Sequence, residues 1–146
     1  DGIRDSETCL EFRRVLFRSS YLFCMLPSGR RLAYPAPQID HDPNFGEQLT
    51  YWGQLFGSVN YGRVKLYGGK LAENICQATA ADVMSRGARM AEARGMAPFA
   101  LIHDQALALH EGRTPAEFSA ALTDLPDWAR GLPLKAEAKV TPFYAK

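Results

Sequence analysis

The stretch Phe99-Ala100-Leu101-Ile102-His103-Asp104-Gln105-Ala106-Leu107-Ala108-Leu109 decides the fold. An apolar run reaches the polar residues His103, Asp104 and Gln105, then returns as a second apolar run. That is the pattern of a β-hairpin buried along its arms and exposed at its turn. A carboxylate at such a tip is held rigidly and faces outward, which suits metal or phosphate chemistry. An aspartate there also serves simply to close a turn. The rest of the chain decides between these roles.

Working outward, the hairpin is preceded by a long helix predicted from about Lys70 to Arg94. Leu71, Ile75, Ala78, Val83, Met84, Ala88 and Ala91 give it an apolar stripe at helical spacing. Gly68-Gly69 breaks the strand before it, and Gly95 is placed to end it. Gly87 reads as an internal weakness costing about 1 kcal/mol relative to alanine. After the hairpin, Thr114-Pro115-Ala116-Glu117 is a helix start: Thr114 at the N-cap, Pro115 in the first turn, Glu117 completing a capping box. Phe118, Ala121, Leu122 and Leu125 form its stripe, and Pro126 ends it. Leu134, Ala136, Ala138 and Val140 alternate with charged residues and predict a half-buried final strand.

Two earlier hairpins are predicted. The first runs from Tyr21–Met25 through a Leu26–Arg30 turn to Arg31–Tyr34. The second runs from Leu49–Trp52 to Arg63–Tyr67, and the polar segment Asp40–Gly46 before it reads as a surface loop. Trp52, Trp128, Phe118 and the other aromatics are assigned to the core. The element order indicates an α+β fold: an antiparallel sheet with a long helix and a C-terminal helix packed on it.

The chain has 146 residues, is 47% hydrophobic and 23% charged, and carries a net charge of +1. That is the composition of one globular domain with no global bias toward nucleic acid or membrane, so any anion-binding face must be local. Cys9, Cys24 and Cys76 lie far apart, which argues against zinc or a disulfide framework and fits a reducing, cytoplasmic setting. No run is long enough to span a membrane.

Residues 1–19 do not read like the start of a domain. Their charges balance and follow no helical or strand period. The segment Glu11-Phe12-Arg13-Arg14-Val15-Leu16-Phe17-Arg18-Ser19 resembles the in-frame translation of a common sequencing adapter. Residues 1–19 are therefore expected to be non-native, with 20–146 as the natural portion of a protein that extends further upstream. A basic targeting peptide is the alternative, although the acids Asp1, Asp5, Glu7 and Glu11 count against it.

Three features occur in order: Gly29-Arg30-Arg31 with Tyr34-Pro35 following; Tyr67-Gly68-Gly69-Lys70-Leu71-Ala72-Glu73-Asn74 leading into Gln77; and His103-Asp104 after a strand-like run. From about Leu26 to its end the chain resembles the C-terminal palm portion of family A, polymerase I type, DNA polymerases, and most closely their phage branch. The resemblance implies that Asp104 is a magnesium-binding aspartate in a two-metal site and that His103 lies near the primer-terminal phosphate. It implies that Gln77 and Asn74 touch the minor groove of the new duplex and that Lys70 stands near the primer end. Arg30 and Arg31 are candidate DNA contacts, left open between phosphate ligands and solvated cations, and Asp82 is left undecided. Primer–template DNA and deoxynucleoside triphosphates are the implied partners of a monomeric enzyme.

These roles are chemically coherent. Two-metal nucleotidyl transfer needs carboxylates that hold both ions, and magnesium takes few carboxylates alongside water and phosphate oxygens. Minor-groove acceptors sit similarly on every base pair, so amide side chains check pairing geometry without reading sequence. Two departures stand out. Gln105 occupies the position where the family usually has glutamate. The partner aspartate and the lysine-bearing helix of the family are not in this sequence, so the chain alone is expected to be inactive. Two alternatives are a non-catalytic DNA-binding module derived from a polymerase, and an HD-type metal phosphohydrolase built on His41-Asp42, His103-Asp104 and His110.

Overall fold

The computed structural model describes residues 15–18, 20–109 and 112–144. The expected foreign segment therefore falls mostly outside the described residues. Its described part, β1 (Val15–Arg18), pairs antiparallel with β2 (Tyr21–Met25). The chain divides into two compact units, Asp1–Thr79 and Ala80–Lys146. It is α+β throughout, but its strands form three antiparallel sheets rather than one.

In the first unit, β2 turns through Leu26–Arg30 into β3 (Arg31–Pro35), the turn being closed by Gly29 N–H donating to Leu26 O at 2.9 Å. The register pairs Leu22 with Tyr34 and Cys24 with Leu32. Period-two alternation puts all four on one face. The second sheet has β4 (Gln38–Asp42), β5 (Gly46–Gln54) and β6 (Tyr61–Lys65). The polar segment before β5 is thus not all loop, because Asp40, His41 and Asp42 lie in a strand. Asp42 makes this possible: its Oδ1 accepts from the backbone N–H of Asn44 and Phe45, confining the reversal to the residues between β4 and β5.

The core of this unit gathers Cys24, Leu26, Tyr34, Leu66 and Ile75, with Leu49, Tyr51 and Leu71 packed on it. Tyr34 meets Tyr51 edge-on at 5.0 Å between ring centres. Burial pushes the Cys24 thiol up, which makes it an inert apolar filler.

Helix α1 spans Gly68–Ala93, so Gly68 and Gly69 open it instead of standing outside it. It ends as expected in a Schellman motif, with Met96 N–H donating to Ala91 O and Gly95 N–H to Glu92 O, both at 2.9 Å. Gly87 is not the weakness its propensity implies. A Cβ there would lie 2.7 Å from Leu122 O and 2.9 Å from Leu122 Cα, so only glycine lets the following helix approach so closely.

In the second unit that helix is α2 (Pro115–Leu122), with the full predicted capping box: Glu117 N–H donates to Thr114 Oγ1 and Thr114 N–H to Glu117 Oε2. It ends at Leu122, before Pro126, and a 3-10 turn follows at Asp127–Ala129. Ala91, Met96 and Ala121 form a small core under Phe118. Strands β7 (Pro98–Ile102) and β8 (Gln105–Ala108) make the central hairpin. Its arms are covered on one side only: Ala100 and Ile102 are half-buried, while Phe99 and Leu101 are 64% and 48% exposed. The predicted final strand is absent among the described residues. Leu134–Val140 finds no ladder partner, and alternation alone cannot make a strand without one. No helix of the described residues is long and apolar enough to cross a membrane.

Candidate functional site

The last rung of the central hairpin pairs Ile102 with Gln105, leaving His103 and Asp104 as a two-residue turn. Both are exposed. His103 has φ +55°, a left-handed conformation that is uncommon without glycine. The strain fixes the direction of the turn and with it the outward aim of Asp104. Gln105 is engaged as well, since Tyr144 Oη donates to its Oε1 at 3.1 Å. Among the described residues no group of three or more His, Cys, Asp or Glu side chains could hold a metal ion. His110 lies outside the described residues.

The helix candidates sit on α1. Lys70 Nζ pairs with Glu73 at 3.1 Å, which holds the ammonium above the usual lysine range. Gln77 Nε2 reaches the other oxygen of Glu73 at 3.5 Å. Lys70, Glu73 and Gln77 therefore form one polar ladder at helical spacing. Glu73 neutralises the lysine, a role the sequence reading did not assign although the i,i+3 spacing displays it. Asn74 Nδ2 donates to Tyr34 Oη at 3.2 Å and is half-buried, so it is anchored to the core while Gln77 is exposed. Burial pushes the Tyr34 phenol up, with the Asn74 bond working the other way.

The two arginines separate. Arg30 reaches α1, its Nη2 donating to Ala78 O at 2.9 Å, which brings the guanidinium to the helix turn that carries Asn74 and Gln77. Arg31 instead lies over the Phe23 ring at 5.6 Å from its centre, a cation–π contact on the far face of its sheet. Arg30, Lys70, Asn74 and Gln77 thus belong to the first unit, and His103 and Asp104 to the second.

The chain is similar to a phage DNA polymerase. It is 43% identical over 134 residues to the curated DNA polymerase of Bacillus phage SP02, a match covering 90% of this chain. It spans only 20% of that relative's length. No family model and no solved structure matches. Against this phage polymerase similarity, the HD-type reading has little left: His41-Asp42 lies on a strand, His103-Asp104 on a hairpin turn, and Asp42 is bound to Lys65 at 2.5 Å.

The assignment of the aromatics to the core is overturned for Tyr21, Phe45, Phe56, Tyr61, Tyr67, Phe99, Phe143 and Tyr144, which are exposed, as well as for Trp52. Trp52 is not core; it is 48% exposed, on the face of β5 opposite Tyr51. The alternation of Leu49 and Tyr51 with Trp52 and Gln54 carries the signal, which the general tendency of tryptophan to be buried masks; Thr50 shares the Trp52 face but is buried, its hydroxyl bonded to Asp40.

Proposed function

We propose that this chain is part of a template-directed, polymerase I type DNA polymerase and that Asp104 supplies one carboxylate of its two-metal centre. The similarity to a phage DNA polymerase carries this reading, and the strained turn that projects Asp104 supports it. Primer–template DNA and deoxynucleoside triphosphates are then its substrates, and magnesium its cofactor.

The residues present fit a share of such a site rather than the whole. Asp104 is an exposed carboxylate on a rigid turn, and magnesium needs only one or two carboxylates besides water and phosphate. Gln105 carries no charge and accepts from Tyr144, so it holds the turn's flank and adds no ligand charge. When bound, the metal pair supplies an acidified primer hydroxyl and a clamp on the triphosphate. His103, next to Asp104, offers a nitrogen donor to a primer phosphate. On α1, Gln77 presents an amide to minor-groove acceptors, while Asn74 and its bond to Tyr34 fix the helix face from which it does so.

The deciding experiment replaces Asp104 with Asn in a complete polymerase containing this chain. Primer extension should fall by roughly two to three orders of magnitude, the scale of losing one preorganised charge-stabilising group, while primer–template binding persists. Unchanged extension would favour the non-catalytic DNA-binding module instead. The 146-residue chain alone should give no template-directed incorporation.

A further inference from the structure

The outer face of the second sheet carries side chains that nothing in the polymerase site uses. The register pairs Trp52 with Arg63 and Gln54 with Tyr61. All four project away from Leu49 and Tyr51, which pack on the core. Trp52 is 48% and Tyr61 64% exposed. They are diagonal neighbours on one face, close enough for successive bases of one strand to reach both. The hairpin then ends in a tip that holds Phe56 and Val59 in solvent, at 106% and 87% exposure. That tip is braced: Leu55 N–H donates to Asn60 O, Asn60 N–H to Ser58 Oγ and Gln54 Nε2 to Ser58 O.

We propose that this face is a stacking platform for an unpaired nucleic-acid strand, with Trp52 and Tyr61 taking base faces and Arg63 a phosphate. The choice of a nucleic acid as occupant rests on the polymerase reading above. Charge supports it. Arg63 is the one charged residue between Tyr51 and Val64. Its guanidinium donates to Ala36 O and Gln38 Oε1, neutral oxygens that position the cation without cancelling it. Of the acids of this face, Asp40 in mid-β4 is itself engaged, accepting from Gln38 Nε2 at 2.6 Å and from the Thr50 hydroxyl at 2.7 Å, and Asp42 at the end of β4 is paired with Lys65. Exposed aromatic faces beside an uncancelled arginine are the chemistry that takes single strands without reading their sequence. A membrane surface would ask for a cluster of cations, and the tip half of the hairpin has one.

The test uses oligo(dT) as the probe. Trp128→Phe leaves Trp52 as the single indole, because the chain has two tryptophans. Its emission should quench saturably as oligo(dT) is added. Anisotropy of labelled oligo(dT) should show Trp52→Ala and Tyr61→Ala each weakening binding about ten- to a hundredfold, while Trp52→Phe keeps most of it. Arg63→Gln should weaken binding and flatten its salt dependence by about 0.7 in log–log slope. Far-UV circular dichroism should be unchanged, since these side chains are exposed. Binding of oligo(dT) with no Trp52 quenching and no effect of either alanine would overturn the platform, yet leave the Asp104 test of the polymerase reading intact. Concentration-dependent dimerisation abolished by Phe56→Ser, with no oligo(dT) binding, would assign the face to a second copy and overturn it equally.

Discussion

The two hairpins differ in how their tips are made. The β5–β6 tip is a long connection in which Gly57, at φ +70°, takes the left-handed residue without strain. The β7–β8 tip is a two-residue turn in which His103 takes φ +55° and carries the strain itself. The foundations differ as well. The first hairpin stands on a five-residue buried cluster with many half-buried neighbours, the second on a unit whose buried cluster is Ala91, Met96 and Ala121. Left-handed strain is not confined to the second unit, because Ala36, between β3 and β4, takes φ +45°. Of the two tips, however, it falls on the one that has a side chain to aim and not on the one that merely turns.

The strongest way to break this contrast is Gly87→Ala. The added methyl meets the backbone of Leu122, so α1 and α2 must separate, at a cost of about 1–3 kcal/mol. Amide exchange should accelerate in α2 and the second unit, while β4–β6 keep their protection. Equal acceleration in both would show that the two units do not unfold independently.

Smaller effects come from the tips and caps. Gly57→Ala forces a side chain into φ +70° and should lower stability by about 1 kcal/mol in denaturant titration. Thr114→Ala removes the N-cap of α2 and should cost about as much, ~1 kcal/mol. Smallest is His103→Gly, which relieves the turn and should raise stability by roughly 0.5 kcal/mol. In the complete polymerase the same change should slow primer extension. A gain in stability with no loss of extension would show that the strain serves no purpose there.

Acid sharpens the comparison from another side. Asp42 is held below the usual carboxylate range, first by its bond from Lys65 and then by the Asn44 N–H. Glu117 is held low by the Thr114 N–H and hydroxyl. Both groups bind protons less readily when folded. Their contributions are complete above the ordinary carboxylate range and are lost as the pH falls through the lowered values. Acid titration should therefore loosen the β4–β5 turn and the start of α2 together, and Glu117→Gln should remove the pH response of α2 alone.

Much of this was legible from local chemistry. The Thr114–Glu117 box, the Gly95 terminus, the hairpins and the turn at His103-Asp104 all appear where the sequence places them, because each depends on bonds and dihedrals spanning a few residues. What failed had a long-range cause. Leu134–Val140 has the alternation of a strand but lacks a partner for its ladder, and Gly87 reads as a flaw until Leu122 is seen against it. Trp52 and Phe99 read as core until each is seen exposed on its sheet. The site divides the same way. Asp104 at an exposed tip could be read from order and turn chemistry, whereas Asn74 bound to Tyr34, Arg30 on Ala78 O and Tyr144 on Gln105 join residues far apart in the chain. The sequence by itself determined where the chain turns, where its helices begin and end, and which carboxylate stands at the central turn, because hydrogen-bond closure and left-handed dihedrals are local. Tertiary structure alone decided which apolar faces are covered and where Arg30 and Arg31 are engaged, because burial and long-range contacts depend on what folds back against a residue.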